Sequence, residues 1–161
     1  MEIWPVEGPW PGRLAVCSRP RAGWFLEDDV RALCEAGYSL LVSALTPEEV
    51  LKAELELVAA ACESAGLEYA NFPIGNLQVV HPSRAHPALA GWRAHLESGG
   101  GIAIHCWASV GRSPTLAAGL MVLSGMDLEE AWRRLEVARG RQVPDTLEQR
   151  AWPAGLLRQF G

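Results

Sequence analysis

Short apolar runs alternate with longer amphipathic stretches along the whole chain. The runs Arg13–Ser18 (RLAVCS), Tyr38–Leu45 (YSLLVSAL), Leu67–Ile74 (LEYANFPI) and Gly101–Cys106 (GIAIHC) have the length and apolar content of strands. Between them, Leu26–Glu35 reads as a helix opened by Glu27, Asp28 and Asp29 and ended by Gly37. Pro47 opens a long helix through about Ser64, with Glu48 and Glu49 in the first turn and Gly66 past the end. Helix-start electrostatics account for both glutamates. Residues 75–82 form a loop, and Arg84–Glu97 is a helix interrupted near its start by Pro87. Further helices are expected from about Ser113 to Leu123, from the N-cap Asp127 to about Arg139, and from Thr146 to Gln159. Glu130 is placed as in a capping box, and Pro153 should strain or break the last helix.

Strands alternating with helices predict an α/β layer fold with a central, largely parallel sheet of about four or five strands flanked by helices. The 161 residues carry no repeat, linker or charge block, so residues 1–161 are read as one domain. Apolar residues are 49% of the chain and charged ones 20%, which excludes a disordered composition. The net charge of −5 argues against nucleic acid as a partner, because phosphate backbones are bound by a basic surplus. No apolar run approaches the ~20 residues that span a bilayer, and the first residues lack the pattern of a signal peptide. No membrane partner and a cytoplasmic location are therefore expected. Cys17, Cys34, Cys62 and Cys106 lie far apart with no C-x-x-C pair, and no two histidines have metal-ligand spacing. Neither a disulfide scaffold nor a metal site is expected. Cys17, Cys34 and Cys62 read as core packing, and His95 as solvent-facing.

The chemistry concentrates in Ile102–Pro114 (IAIHCWASVGRSP). A buried strand ends at Cys106, five residues separate it from Arg112, and a helix then begins. Ligands of open α/β sheets bind at such strand-to-helix turns. Successive backbone N–H groups from Trp107 through Ala108, Ser109, Val110 and Gly111 to Arg112 would form a concave anion cradle, strengthened by the helix N-terminus. Arg112 adds a planar fork matched to two phosphate oxygens. The same positive field favours the thiolate of Cys106, which is the nucleophilic form. Nucleophile and cradle on one loop suit displacement at phosphorus through a cysteinyl-phosphate intermediate.

The stretch His105–Ser113 fits the signature H-C-x5-R-[ST], and the chain resembles the cysteine-dependent phosphatases, above all the small bacterial dual-specificity phosphatases. The likeness extends to Pro11–Ala15, Ala36–Ser43, Phe72–Ile74 and Ala138–Gln149. It implies Cys106 as nucleophile, Arg112 as phosphate clamp, Ser113 as hydrogen-bond donor to the departing thiolate, and His105 as the residue that orients the loop. It implies no metal and no cofactor. The expected substrate is a phosphorylated protein or a small phosphoester, and the expected activity is that of a protein tyrosine or dual-specificity phosphatase. The alternatives are a phosphate-binding module of the same fold, or a phosphatase of a nucleotide, an RNA 5′-phosphate or an inositol phosphate.

Two departures from the family pattern stand out. Ser109 replaces a usual glycine, at a cost of about 1 kcal/mol if that backbone has positive φ. Asn76, in Phe72-Pro73-Ile74-Gly75-Asn76, stands at the position of the usual aspartate general acid and has no proton to give. General acid catalysis is typically worth ~10²–10⁴-fold, so the enzyme is expected to be slow unless another group donates. His81 on the same loop is the first substitute and Asp145 the second. Trp107 either lines the pocket or packs beneath the loop, Gln149 is a candidate to orient the hydrolytic water, and Arg133, Arg134, Arg139 and Arg141 read as a solvated helix face.

Overall fold

The computed structural model describes residues 1–161. Five strands form one sheet: β1 (Ile3–Val6), β2 (Arg13–Cys17), β3 (Leu40–Ser43), β4 (Glu68–Asn71) and β5 (Gly101–His105), in the order β1-β2-β5-β3-β4. All neighbours are parallel except β1, which runs antiparallel to β2 at the edge. The helices are α1 (Leu26–Glu35), α2 (Pro47–Lys52), α3 (Val58–Ala65), α4 (Pro82–Glu97), α5 (Arg112–Leu123), α6 (Leu128–Arg139) and α7 (Leu147–Phe160). The expected α/β architecture is therefore present.

Side chains alternate across the sheet, as the two-residue period of a strand requires. Leu14, Val16, Leu40, Val42, Ile102 and Ile104 join a core of 29 buried residues shared with α4, α5, α6 and α7. Ala15, Cys17, Leu41 and Ala103 face a smaller core of 13 with α1 and α3. Both faces of β5 are covered, which is why its sequence is apolar without alternation. Gly101 is required there, since a Cβ would collide with the Gly37 carbonyl. Helix α5 is buried from Arg112 to Val122. In register, Ile104 of β5 lies between Val16 of β2 and Val42 of β3. The carboxyl ends of these three strands thus converge on Cys106.

Several boundaries differ from the sequence reading. The long helix from Pro47 is two, because Glu54 turns the chain at φ 56° and lets Leu55 and Val58 enter the smaller core. Strand β1 escapes the sequence pattern because Pro5 interrupts it, and an edge strand tolerates a missing N–H. Helix α7 runs through Pro153 unbroken, held by Trp152 and Leu156 in the main core and by reciprocal Thr146–Gln149 capping. Asp127 caps α6 as expected, but Glu130 does not complete a capping box; it pairs with Arg133 and Arg134. His95 is not simply solvent-facing: its Nε2 lies 2.7 Å from Ser39 Oγ. Cys17 and Cys62 are buried, Cys34 is half-buried, and all four thiols are free.

Candidate active site

The turn from β5 into α5 carries the candidate site. Cys106 is 2% exposed. No backbone N–H from Trp107 to Gly111 donates to a protein acceptor, although Ser109, Val110 and Gly111 are buried. Unsatisfied donors in a buried loop are costly unless an acceptor from outside meets them, and these five consecutive groups are left without a protein one. Ser113, in the first turn of α5, points its Oγ to Cys106 Sγ at 3.4 Å. His105 is buried, and its Nδ1–H donates to the Cys106 carbonyl at 3.2 Å. Burial, with the charges of Arg19 and Arg112 adding to it, pulls the His105 imidazole down to about 4, against the opposing pull of that hydrogen bond. The ring is therefore neutral at pH 7, a strut for the loop. Burial also pushes the Cys17 thiol up, and nearby Cys106 and Asp29 push it further. Cys17 thus remains a thiol beside the loop.

Arg112 is held by Glu49 and by the Ile74 and Ala44 carbonyls, the last at 3.4 Å. Its Nη1 and Nη2 donate to Glu49 Oε2 and Oε1 at 2.6 and 2.8 Å, and Nη1 also donates to the Ile74 carbonyl at 2.7 Å. Burial alone would lower the guanidinium; the Glu49 hydrogen bonds and the charges of Cys106 and Glu49 outweigh it and raise it. Glu49 is itself fixed by the cap of α2: its Oε2 accepts from the Thr46 N–H at 3.0 Å, and Thr46 Oγ1 accepts from the Glu49 N–H. Burial would raise the Glu49 carboxyl, but the bonds from Arg112 and Thr46 hold it below its ordinary value. Helix-start electrostatics thus explain only part of Glu49. Its grip on Arg112, across 63 positions of sequence, carried no local signal.

Ser109 has φ 55°, the left-handed region, and its Oγ donates to the Cys17 carbonyl at the end of β2. The hydroxyl thereby ties the strained residue to the sheet. On the other side, Arg139 Nε donates to the Ser109 carbonyl at 2.7 Å while its guanidinium stacks 3.5 Å from the Trp4 ring centroid. Arg139 is therefore a loop support and not part of a solvated face, whereas Arg133 pairs with Glu130 at the surface. Gly111 leaves room for two side chains: a Cβ there would meet Asp145 Oδ2 and lie 2.9 Å from Gln149 Nε2, so both would have to shift. Asp145 and buried Gln149 are thus packed against the loop.

Asn76 lies exposed on the loop after β4. That segment is tied down at several points. Gln149 Nε2 donates to the Gln78 carbonyl at 3.5 Å, Trp152 Nε1 to the Val80 carbonyl, and Arg84 Nη2 to the Pro73 carbonyl at 3.1 Å. His81 caps α4, its Nδ1 accepting from the Ser83 N–H at 3.3 Å and lying 2.7 Å from Ser83 Oγ. Trp107 is half-buried and packs on the smaller core, with Arg19 over its ring at 3.9 Å and Lys52 Nζ at 5.5 Å. Ala108 is exposed at the loop's tip.

Residues 9–151 match the family model described as PTP-SAK, Swiss Army Knife protein, DSP-PTPase phosphatase domain. Among solved structures, kinase associated phosphatase with its catalytic-site cysteine substituted by serine superposes with a TM-score of 0.86. The identity is 16%, over 99% of this chain and 95% of that one. Tk-PTP in its active form gives 0.75 at 23% identity, over 92% and 94%. A putative protein tyrosine phosphatase from Leishmania major gives 0.76 at 17% identity, over 95% and 97%. No curated protein matches the chain in sequence.

Proposed function

The chain belongs to the Swiss Army Knife family of dual-specificity-type protein tyrosine phosphatase domains, and from that premise we propose that Cys106 is its nucleophile and the loop 107–112 its phosphate cradle. The protein is a cysteine-dependent phosphatase. The observation that carries the residue assignment is the run of five N–H groups without protein acceptors between Cys106 and Arg112. A phosphoryl group seated on them presents phosphorus to Sγ. The thiolate attacks, the ester oxygen leaves, and the equatorial charge is shared by the N–H groups and Arg112. Ser113 Oγ, already directed at Sγ, stabilises the thiolate when water displaces it from the cysteinyl phosphate. Gln149, close to Gly111, is our candidate to orient that water through its second amide N–H.

The substrate we infer is a phosphotyrosine- or phosphoserine/threonine-bearing protein or a small phosphoester. Four free thiols fit a reducing cytoplasm. Asn76 supports a second reading, in which the domain binds phosphorylated partners and turns them over slowly. The test is Cys106→Ser with p-nitrophenyl phosphate. Turnover should vanish while vanadate or phosphate binding persists, because backbone and Arg112 form the cradle. Arg112→Ala should lose the binding as well. Hydrolysis by the serine variant at the wild-type rate would overturn the assignment.

A further inference from the structure

A second pocket lies on the Cys106 side of α2. It encloses about 540 Å³ and is lined by Ser18, Arg19, Arg21, Lys52, Glu54 and Trp107, among others. Its lining includes Trp107, the residue directly after the nucleophile. Two cations share the Trp107 ring, the Arg19 guanidinium at 3.9 Å and Lys52 Nζ at 5.5 Å. Neither takes part in any of the molecule's nine ion pairs. Arg21, by contrast, is bound to Asp29 at 2.6 Å. Arg19 Nη1 is buried with no hydrogen-bond partner. Lys52 stands one turn after Glu49 on α2, so it shares a helix face with the residue that holds Arg112.

Two like charges on one aromatic ring, neither of them paired with a carboxylate, repel each other. An anion between Arg19 and Lys52 relieves that repulsion. The only carboxylate lining the pocket is Glu54, which leaves a cationic surplus. We propose that Arg19, Lys52 and Trp107 form a second anion subsite, which takes a phosphate or carboxylate carried by the same substrate whose phosphoryl group sits at Cys106. This rests on the assignment of Cys106 and its loop, and it narrows the substrate class to phosphomonoesters with a second anionic group. The group can reside on an acidic or doubly phosphorylated peptide or on a small bisphosphate.

The test measures binding to Cys106→Ser by calorimetry, with two matched pairs of probes. One pair is a phosphotyrosine peptide with and without an adjacent second phosphate. The other is an aryl monophosphate and the corresponding aryl bisphosphate. At least one doubly phosphorylated probe should bind about tenfold more tightly than its singly phosphorylated partner, and the pair that shows the gap identifies the carrier. Adding Lys52→Ala, at an exposed position outside the loop 107–112, should erase most of the gap and leave the singly phosphorylated probes unchanged. Lys52→Arg should restore it, and high salt should shrink it. Equal affinities within both pairs, or a gap indifferent to both Lys52→Ala and Arg19→Gln, would refute the subsite alone. Failure of every probe to bind would refute the subsite together with the cradle assignment.

Discussion

Glu49 holds Arg112 with both carboxylate oxygens, at 2.6 and 2.8 Å, while the same carboxylate accepts from the N–H that begins its own helix. A local capping motif thereby sets the orientation of a guanidinium 63 residues away. Glu49→Ala leaves Arg112, whose side chain is 2% exposed, without its counter-charge. Breaking a buried pair from one side costs about 3–5 kcal/mol. Misplacing a group at the reacting centre costs on the order of 100-fold in rate. A lower urea midpoint and a fall of that order in kcat/KM are expected. Glu49→Gln keeps an acceptor for Thr46 and should fall between; wild-type kinetics for Glu49→Ala would show that the pair does not set the clamp.

Ser109 offers a test of compensated strain. Its φ of 55° disfavours any side chain, but its hydroxyl reaches the Cys17 carbonyl. Ser109→Ala keeps the strain and loses the bond, which should cost about 1 kcal/mol. Ser109→Gly loses the bond but relieves the backbone, so the two effects offset and stability should change little. Thermal denaturation of the pair checks this. An equal loss in both variants would mean that the left-handed backbone carries no strain.

His105 predicts a pH dependence. Its folded value is about 4, below the ordinary ~6.5 that it regains on unfolding. Between these values the unfolded chain binds the extra proton, so stability rises with pH there and is lost as pH falls from about 6.5 toward 4. The full effect is on the order of 3 kcal/mol for a shift of this size. Denaturant midpoints from pH 4 to 7 should show this slope, and His105→Asn should flatten it. The depressed Glu49 carboxyl acts lower, its stabilisation being lost as pH falls below the ordinary carboxylate range. A slope unchanged by His105→Asn would place its origin elsewhere.

The sheet and the candidate turn between β5 and α5 were legible because their signals are local. Buried strands are apolar runs, and Cys106, Arg112 and Ser113 stand within one short segment. What escaped was pairwise and distant. Glu49 looks like any glutamate in a first helical turn, and Arg139 like any arginine in a last one. Only the fold brings them to Arg112 and Ser109. The break between α2 and α3 was hidden for a related reason: Leu55 and Val58 fit a continuous helix locally, and burial in the smaller core decides otherwise.

The proton donor is the sharpest question that the loop after β4 poses, and leaving groups separate the answers. A p-nitrophenolate departs without protonation, whereas a tyrosine or serine oxygen departs poorly as an anion. With Asn76 at the acid position, the protein should favour activated aryl phosphates over phosphotyrosine peptides. Asn76→Asp is nearly isosteric and restores a donor. A gain of about tenfold on phosphotyrosine is expected, the low end of what general acids supply. The optimum on phosphotyrosine should move to the acidic side, with the rate falling as pH rises and the new carboxyl loses its proton, and rates on p-nitrophenyl phosphate should hardly move. Asp145→Asn is the matched control, because Asp145 Oδ2 lies against Gly111 of the loop between Cys106 and Arg112. His81→Ala is the second, although that imidazole already caps α4. If Asn76→Asp gains nothing while Asp145→Asn costs over tenfold on phosphotyrosine alone, the proton comes from the carboxylate beside Gly111. The loop after β4 then serves to hold Arg112 through the Ile74 carbonyl.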